Sequence, residues 1–411
     1  MNKKMYICLL GLFLTTAAFA DIEDHHRIFE IGVDADVGVS NNYFKVSEIM
    51  VKDLVIDLTK IASELPDNGL SLNYDLGVKT YLSLNIKQKF GFSLFAGVNG
   101  NGYGNIGKEL FNILGNGISS TDDKTVDLNL YADIFLTSGI SFNAYIKKFG
   151  IKVQPTLFIP LVHLAENDGY ARYTSSDSGA MKAEADIPLD IFTFINMKNI
   201  KEGQIDSTYI QNQISNSIKN VGFDLFLEVE HPITKTFEAG TFVQLPLVPG
   251  KLNYKTSTRV YASVEEDNLL GNLNEDENEI TKDYGMDELT FSEEKITVHR
   301  PLIFGVEGAW RPFGSWCKFT PKVALVIRNP YSADYQVFGE YNLRADFSLF
   351  NILGINFATA YENLTFKQRL GFMFNFRVIE INAAVQLTGA DFANSFGLTG
   401  ASGVVSVKVG F

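Results

Sequence analysis

Beyond residue 20, no stretch reaches the ~20 uncharged apolar residues that a membrane-spanning helix needs. A helical membrane protein is therefore excluded. Cysteine is nearly absent, with Cys8 and Cys317 the only two. Cys8 lies in the apolar start of the chain, which leaves Cys317 with no intramolecular disulfide partner. Cys317 reads as a small apolar side chain rather than a reactive thiol. Histidine is scarce as well: His25, His26, His163, His231 and His299 include no pair at the spacing of ligands on one helix face. No Gly-x-Ser-x-Gly elbow, phosphate loop or dinucleotide fingerprint stands in a strand-turn-helix context. No enzyme activity, cofactor or metal is expected. Positive charge is in deficit, 35 Lys and Arg against 48 Asp and Glu for a net charge of −13. Nucleic acid, whose phosphates want a basic face, is an unsuitable partner.

What is present begins with an export leader. Lys3 and Lys4 precede the apolar run Met5–Thr16, and Ala18-Phe19-Ala20 has the small-x-small pattern of a cleavage site. Residues 1–20 are expected to be a signal peptide and 21–411 a single domain. Losing Lys3 and Lys4 moves the net charge from −13 to −15.

Period-two alternation dominates the remainder. Phe29, Ile31, Val33, Ala35, Val37 and Val39 share one parity, with Glu30, Asp34 and Asp36 on the other. Val126 to Ile146 keeps one apolar parity for about twenty residues, longer than an ordinary soluble strand. A tilted strand of a transmembrane barrel can run that long. The expected fold class is all-β, a transmembrane antiparallel β-barrel of about fourteen strands. Their limits are 27–39, 70–86, 89–99, 125–147, 150–163, 221–231, 235–247, 300–311, 317–328, 333–349, 353–361, 364–376, 379–390 and 396–411. Short connections alternate with long ones, as in barrels with periplasmic turns and outer loops. Segments 170–194 and 252–299 hold strand-like stretches, and insertion of either as a hairpin raises the count to sixteen or eighteen. Three outer segments carry helical spacing: Val46–Leu65, Ile106–Leu114, and the stretch marked by Tyr209, Ile210, Ile214 and Ile218. Glu265–Glu294 contains twelve acids and reads as a solvated surface loop.

The parity opposite to lipid lines the lumen. It places Tyr81, Phe95, Tyr131, Phe135, Phe226, Phe242 and Phe338 inside. Large inward rings suit an obstructed lumen or an apolar pocket better than a wide aqueous pore. Acids on the early strands (Asp34, Asp36, Asp75, Asp127, Asp133) meet bases on the late ones (Lys318, Lys322, Arg328, Arg344, Lys367, Arg369, Arg377) when the sheet closes. Ion pairing across the closure is one role for them. A cationic strip for a carboxylate headgroup is the other, with Arg344, Lys367 and Arg369 foremost. Gly97, Gly100, Gly102 and Gly104 are expected to end or kink the third strand and leave a lateral opening. Pro155 and Pro160 each remove a ladder donor from the fifth strand.

These features together resemble the FadL-type barrels, which carry long-chain fatty acids and other hydrophobic molecules across outer membranes. The resemblance rests on the strand count, the helix-bearing outer loops, the obstructed lumen and the glycine run in the third strand. It implies passive uptake of a hydrophobic small-molecule ligand through an aromatic-lined lumen and a kinked wall, with outer-membrane lipids as neighbours. That family has a hatch segment before the first strand, and here few residues precede Arg27. The helix Val46–Leu65, folded inward, is then the expected plug. The C-terminal third also resembles spirochaete outer-membrane barrels, through Arg300-Pro301-Leu302, Trp310-Arg311-Pro312-Phe313 and Asn375-Phe376-Arg377-Val378-Ile379-Glu380. The closing strand Val405, Val407, Val409, Phe411 resembles the signal read by the barrel-assembly machinery. A general or anion-leaning porin, and a surface-interaction or structural barrel, stay open as alternatives.

Overall fold

The computed structural model describes residues 27–45, 57–66, 69–86, 89–116, 124–146, 148–165, 169–176, 180–204, 206–266, 281–332, 335–350, 352–363, 365–389, 392–397 and 399–411. The expected leader, the first half of the Val46–Leu65 segment and residues 267–280 of the acidic stretch lie outside these residues.

The alternating segments become strands wherever they were expected. β1 (Phe29–Asn41), β2 (Leu70–Ile86), β3 (Phe90–Ile106), β4 (Lys124–Ile146) and β5 (Phe149–Leu164) follow one another around the wall. The hairpin β6 (Gly169–Ser175) and β7 (Met181–Thr193) comes next. β8 (Gly222–Pro232) and β9 (Phe237–Val248) then return to the wall beside β5. At the long-loop end stand β10 (Gly250–Leu252), β11 (Tyr254–Glu266), β12 (Thr281–Met286), β13 (Thr290–Ser292) and β14 (Ile296–Val298). The second half of the wall is β15 (Leu302–Trp310), β16 (Cys317–Arg328), β17 (Gln336–Leu349), β18 (Leu353–Glu362), β19 (Thr365–Asn375), β20 (Ile379–Gly389) and β21 (Gly400–Gly410). β9 pairs with β15 and β21 with β1, so the sheet closes on itself. Closure leaves no free edge in the wall, so its ladder N–H and C=O groups find partners on neighbouring strands, as a strand surrounded by lipid requires. The last residue takes part: the Phe411 carbonyl accepts from the N–H groups of Ile28 and Phe29 at 2.7 and 3.1 Å.

At the short-turn end the ring is fourteen strands around, β1–β5, β8, β9 and β15–β21. β4 stays paired with β5 to the end of that strand, at Ala132–Leu164, and Lys124–Leu128 of β4 then takes β6, which carries the line of β5 onward. On the other edge of β5, Val162–Leu164 takes β7, so the hairpin lengthens the wall toward the long-loop end and does not enter between β4 and β5. The β4–β5 pairing is interrupted by a bulge. Ile134 pairs with Val162 but Phe135 pairs with Pro160, so Leu161 is the extra residue of β5. Proline has no N–H to give the ladder, and a bulge is where a strand tolerates it.

Outward parity carries the apolar surface. Ile31, Leu84, Leu94, Phe142, Val306, Val323, Leu343, Phe357, Leu370, Val385 and Val405 are all exposed. Rings gather at the short-turn end, where Phe313 stacks on Trp316 at 5.9 Å and Trp310 lies 5.6 Å from Phe319. An apolar band edged by an aromatic girdle is what a lipid bilayer selects.

Helices α1 (Leu58–Glu64), α2 (Lys108–Asn116), α3 (Met197–Lys201) and α4 (Ser207–Ser217) all lie in long-loop segments. Asp57 caps α1 by accepting from the Lys60 N–H at 3.0 Å. Ile61, Ala62 and Leu65 of the first helical segment pack on Phe111 of α2, Leu70 of β2 and Ile106 of β3. The described part of the expected plug therefore covers the outer ends of β2 and β3. The lumen is instead occupied by the small sheet β10–β14. Its Leu252 and Val298 are buried against the inward-facing Phe135 and Phe158.

Candidate functional site

Strand register shows what the inward rings rest on. Tyr81 lies opposite Gly32, Phe95 opposite Gly139, Phe158 opposite Gly222 and Phe242 opposite Gly305. In each pair a Cβ on the glycine would overlap the ring. The rings lie flat across neighbouring strands because glycine leaves that space, the cross-strand pairing called aromatic rescue. Tyr74 uses Gly102 in the same way on the opposite parity.

This changes the reading of the glycine run. β3 continues through Gly97, Gly100, Gly102 and Gly104 to Ile106, paired residue for residue with β2 and β4 and without a register shift. The kink expected there is absent. The wall is irregular two strands further on, in β5, at Leu161 and near Pro155, where the β4–β5 pairs pass from Gly139–Thr156 to Phe142–Val153.

Cations cover the inward rings. Lys79 stands 5.0 Å from the Phe95 centroid and 5.9 Å from that of Tyr81. Phe226 and Phe242 stack at 6.1 Å, with Lys152 5.3 Å above the first and Lys322 4.3 Å above the second. Such contacts strengthen when both partners are withdrawn from water. Beside them the carboxylates of Glu228, Glu230 and Glu307 converge within 4.8 Å. Lys152 is 3.4 Å from Glu228 and Lys322 is 3.9 Å from Glu307. Phe135 turns away from these cations and meets Phe158 edge-on at 5.6 Å.

Farther toward the long-loop end the two walls touch. Lys367 of β19 reaches Asp75 of β2 at 2.8 Å and Glu362 at 3.4 Å, and Asn363 donates to Asp75 at 3.1 Å. Gln336 of β17 donates to the Tyr103 hydroxyl of β3 at 3.1 Å. Arg369 is 3.7 Å from Asp36 and donates to Gln386 at 2.9 Å. Arg344 pairs with Asp346 at 2.7 Å. The strip Arg344, Lys367, Arg369 is thus brought to the lumen with an acid beside each base. The Asp127 side chain lies outside the described part.

Sequence reasoning missed a buried network on β4 and β5. The Tyr131 hydroxyl donates to Asp133, and Asp133 stands 2.6 Å from Nδ1 of His163. All three are buried near the end of β5, where β4 passes from β5 to β6 as its neighbour. The guanidinium of Arg328, from the far side of the barrel, lies 4.5 Å from the Tyr131 ring, 5.4 Å from Tyr103 and 5.1 Å from Phe338. Parity alone puts Tyr131 and Asp133 on one face two residues apart. Only the register brings His163 to them. Above the belt, His299 lies against Tyr331 at 4.7 Å, and burial holds its imidazole below the usual range.

A closed antiparallel wall, apolar outside and filled with rings and ion pairs inside, defines a transmembrane β-barrel with an obstructed lumen. The sequence matches no protein-family profile and no curated protein. Among solved structures the chain is similar to the Pseudomonas putida toluene transporter TodX, at 11% identity and TM-score 0.45 over 98% of this chain and 94% of that one. The Ralstonia pickettii toluene transporter TbuX gives 10% and 0.45 over 94% and 90%. A Pseudomonas aeruginosa FadL homologue gives 11% and 0.42 over 97% and 94%. Likenesses this distant decide neither cargo nor mechanism, and the barrel rests on the strand pairing described above.

Proposed function

We propose that this chain is an outer-membrane barrel for passive uptake of hydrophobic molecules, long-chain fatty acids among them, without enzymatic activity. The observation that carries the reading is the stacked Phe226–Phe242 pair inside a lumen crossed by side-chain bridges, with Lys152 and Lys322 over the rings. An apolar solute gains from replacing the lysine stems on those rings. Tyr81, Phe95, Tyr131, Phe135 and Phe338 extend the same lining. We place the exit to the bilayer at the bulge beside Leu161 rather than at the glycine run of β3. Outer-membrane lipids are the surrounding partners, and Phe411 is the residue we assign to the barrel-assembly machinery.

The test is extraction of the purified, folded barrel followed by mass spectrometry. A hydrophobic compound should co-purify. Its yield should fall about tenfold or more in the Phe226→Ser/Phe242→Ser variant, because each buried ring is worth roughly 1.5–3 kcal/mol of apolar contact. An empty barrel with steady conductance in planar bilayers would replace this reading with a porin.

A further inference from the structure

We propose that the outer edge of β12 is a docking site for a basic, extended stretch of polypeptide, which joins the sheet there as an added strand. β11 pairs with β7 along one side and with β12 and β13 along the other. Among the described residues no strand takes the far side of β12. Every described side chain from Thr281 to Glu294 is exposed except the half-buried Gly285 and Phe291.

The ladder to β11 fixes which backbone groups the edge offers. The Asp287 N–H donates to the Arg259 carbonyl at 2.9 Å. Bonded and unbonded pairs alternate along an antiparallel ladder. Asp283 and Gly285, on the parity of Asp287, therefore bond toward β11, and the N–H and C=O groups of Tyr284 and Met286 point away from it. An unpaired edge of this kind is a template for another strand. Its two faces differ. Tyr284 and Met286, 79% and 63% exposed, stand opposite Ala262 and Val260, and with Val264 they form an exposed apolar strip. Asp283 and Asp287 belong to the other face. A strand that alternates apolar and basic residues matches both faces, because side chains alternate with a period of two.

Charge selects the partner. Thr281–Glu294 contains five acids, Asp283, Asp287, Glu288, Glu293 and Glu294, against Lys282 alone. Lys255 meets one of them, Glu294, at 3.5 Å. Charges commonly guard an edge against pairing. Guards of one sign repel a second copy of the same edge and admit a basic strand.

The experiment measures binding of a peptide as long as β12, alternating lysine and valine, to the full-length barrel in non-ionic detergent. One comparison probe is the same peptide N-methylated throughout, which keeps the charge and blocks the ladder. The other alternates glutamate and valine. Variants are Tyr284→Pro, which removes an outward N–H and spares the bonds to β11, Tyr284→Ala, and Asp283→Asn combined with Asp287→Asn. Heat-modifiability on gels confirms closure of each barrel. Only the lysine–valine peptide should bind, and less tightly as salt rises. Tyr284→Pro should weaken it about tenfold, Tyr284→Ala less, and the paired Asn replacement severalfold. Equal binding of the N-methylated peptide, or unchanged affinity in Tyr284→Pro, would mean attraction by charge alone and would overturn the added strand. If the Pro variant does not close, the N-methylated probe carries the test. No binding of the lysine–valine peptide by the wild type overturns the site, and equal binding of the glutamate–valine peptide overturns its preference for a basic partner. A barrel dimer in sedimentation that Tyr284→Pro dissociates would assign the edge to a second copy and overturn the basic partner as well. None of these outcomes bears on uptake through the lumen.

Discussion

Gly222→Ala lowers the stability of the folded barrel by about 2–3 kcal/mol, the usual cost of overfilling a packed site. Urea unfolding in lipid vesicles measures it. Gly222 lies directly opposite Phe158, whose side chain is 1% exposed. A Cβ at residue 222 would overlap that ring and stand 2.6 Å from the Gly250 backbone nitrogen. The ring cannot withdraw, because Phe135, Leu252 and Val298 enclose it. Nor can the strand, which is paired on both sides with β5 and β9. Gly403→Ala is the matched control. It also lies in a wall strand, but its Cβ meets nothing within 4 Å, so its effect should stay within about 0.5 kcal/mol. Equal effects at the two sites would show that glycine content, and not the ring opposite, sets the cost.

Lys367→Met should be costlier still, about 3–5 kcal/mol by the same unfolding measurement, the range for removing one member of a buried ion pair. The lysine side chain is 7% exposed and satisfies two acids, Asp75 at 2.8 Å and Glu362 at 3.4 Å. Without it both carboxylates face each other in the lumen. The triple replacement Lys367→Met, Asp75→Asn, Glu362→Gln removes the charges together and should recover most of the loss, since neutral groups of similar shape carry little desolvation penalty. Because this bridge ties β19 to β2 across the barrel, Lys367→Met should also raise ionic conductance in planar bilayers above that of the wild type. A single variant as stable as wild type would mean that water already screens the pair.

Both predictions concern contacts between residues far apart in sequence, and there the limit of sequence reading lies. Lumen parity was legible: the inward placement of Phe226 and Phe242 followed from alternation, since side chains of a strand alternate by geometry alone. Their stacking on each other, and the lysines above them, depended on register between β8 and β9 and on neighbouring strands. The glycine run of β3 was misread for the same reason. Glycine weakens an isolated strand, but here β2 and β4 pair with the run throughout and Gly102 makes room for Tyr74, neither of which is a local property. Arg328 was visible as one of several inward bases, but its place among the rings of Tyr103, Tyr131 and Phe338 is not a local property.

The sequence by itself determined the solvent on each face of the wall. Period-two alternation with apolar residues outward admits a closed sheet in lipid and excludes a helical span, because lipid leaves no backbone group unpaired. It also determined the places of the fourteen principal strands, through the turns and parity changes between them. The tertiary structure alone decided that the β6–β7 hairpin carries the wall beyond β5 and β8 toward the long-loop end, that side chains of separate walls meet in the lumen, and which charges are neutralised there. Those outcomes turn on register, shear and reach across the barrel, quantities that exist only once the sheet has closed.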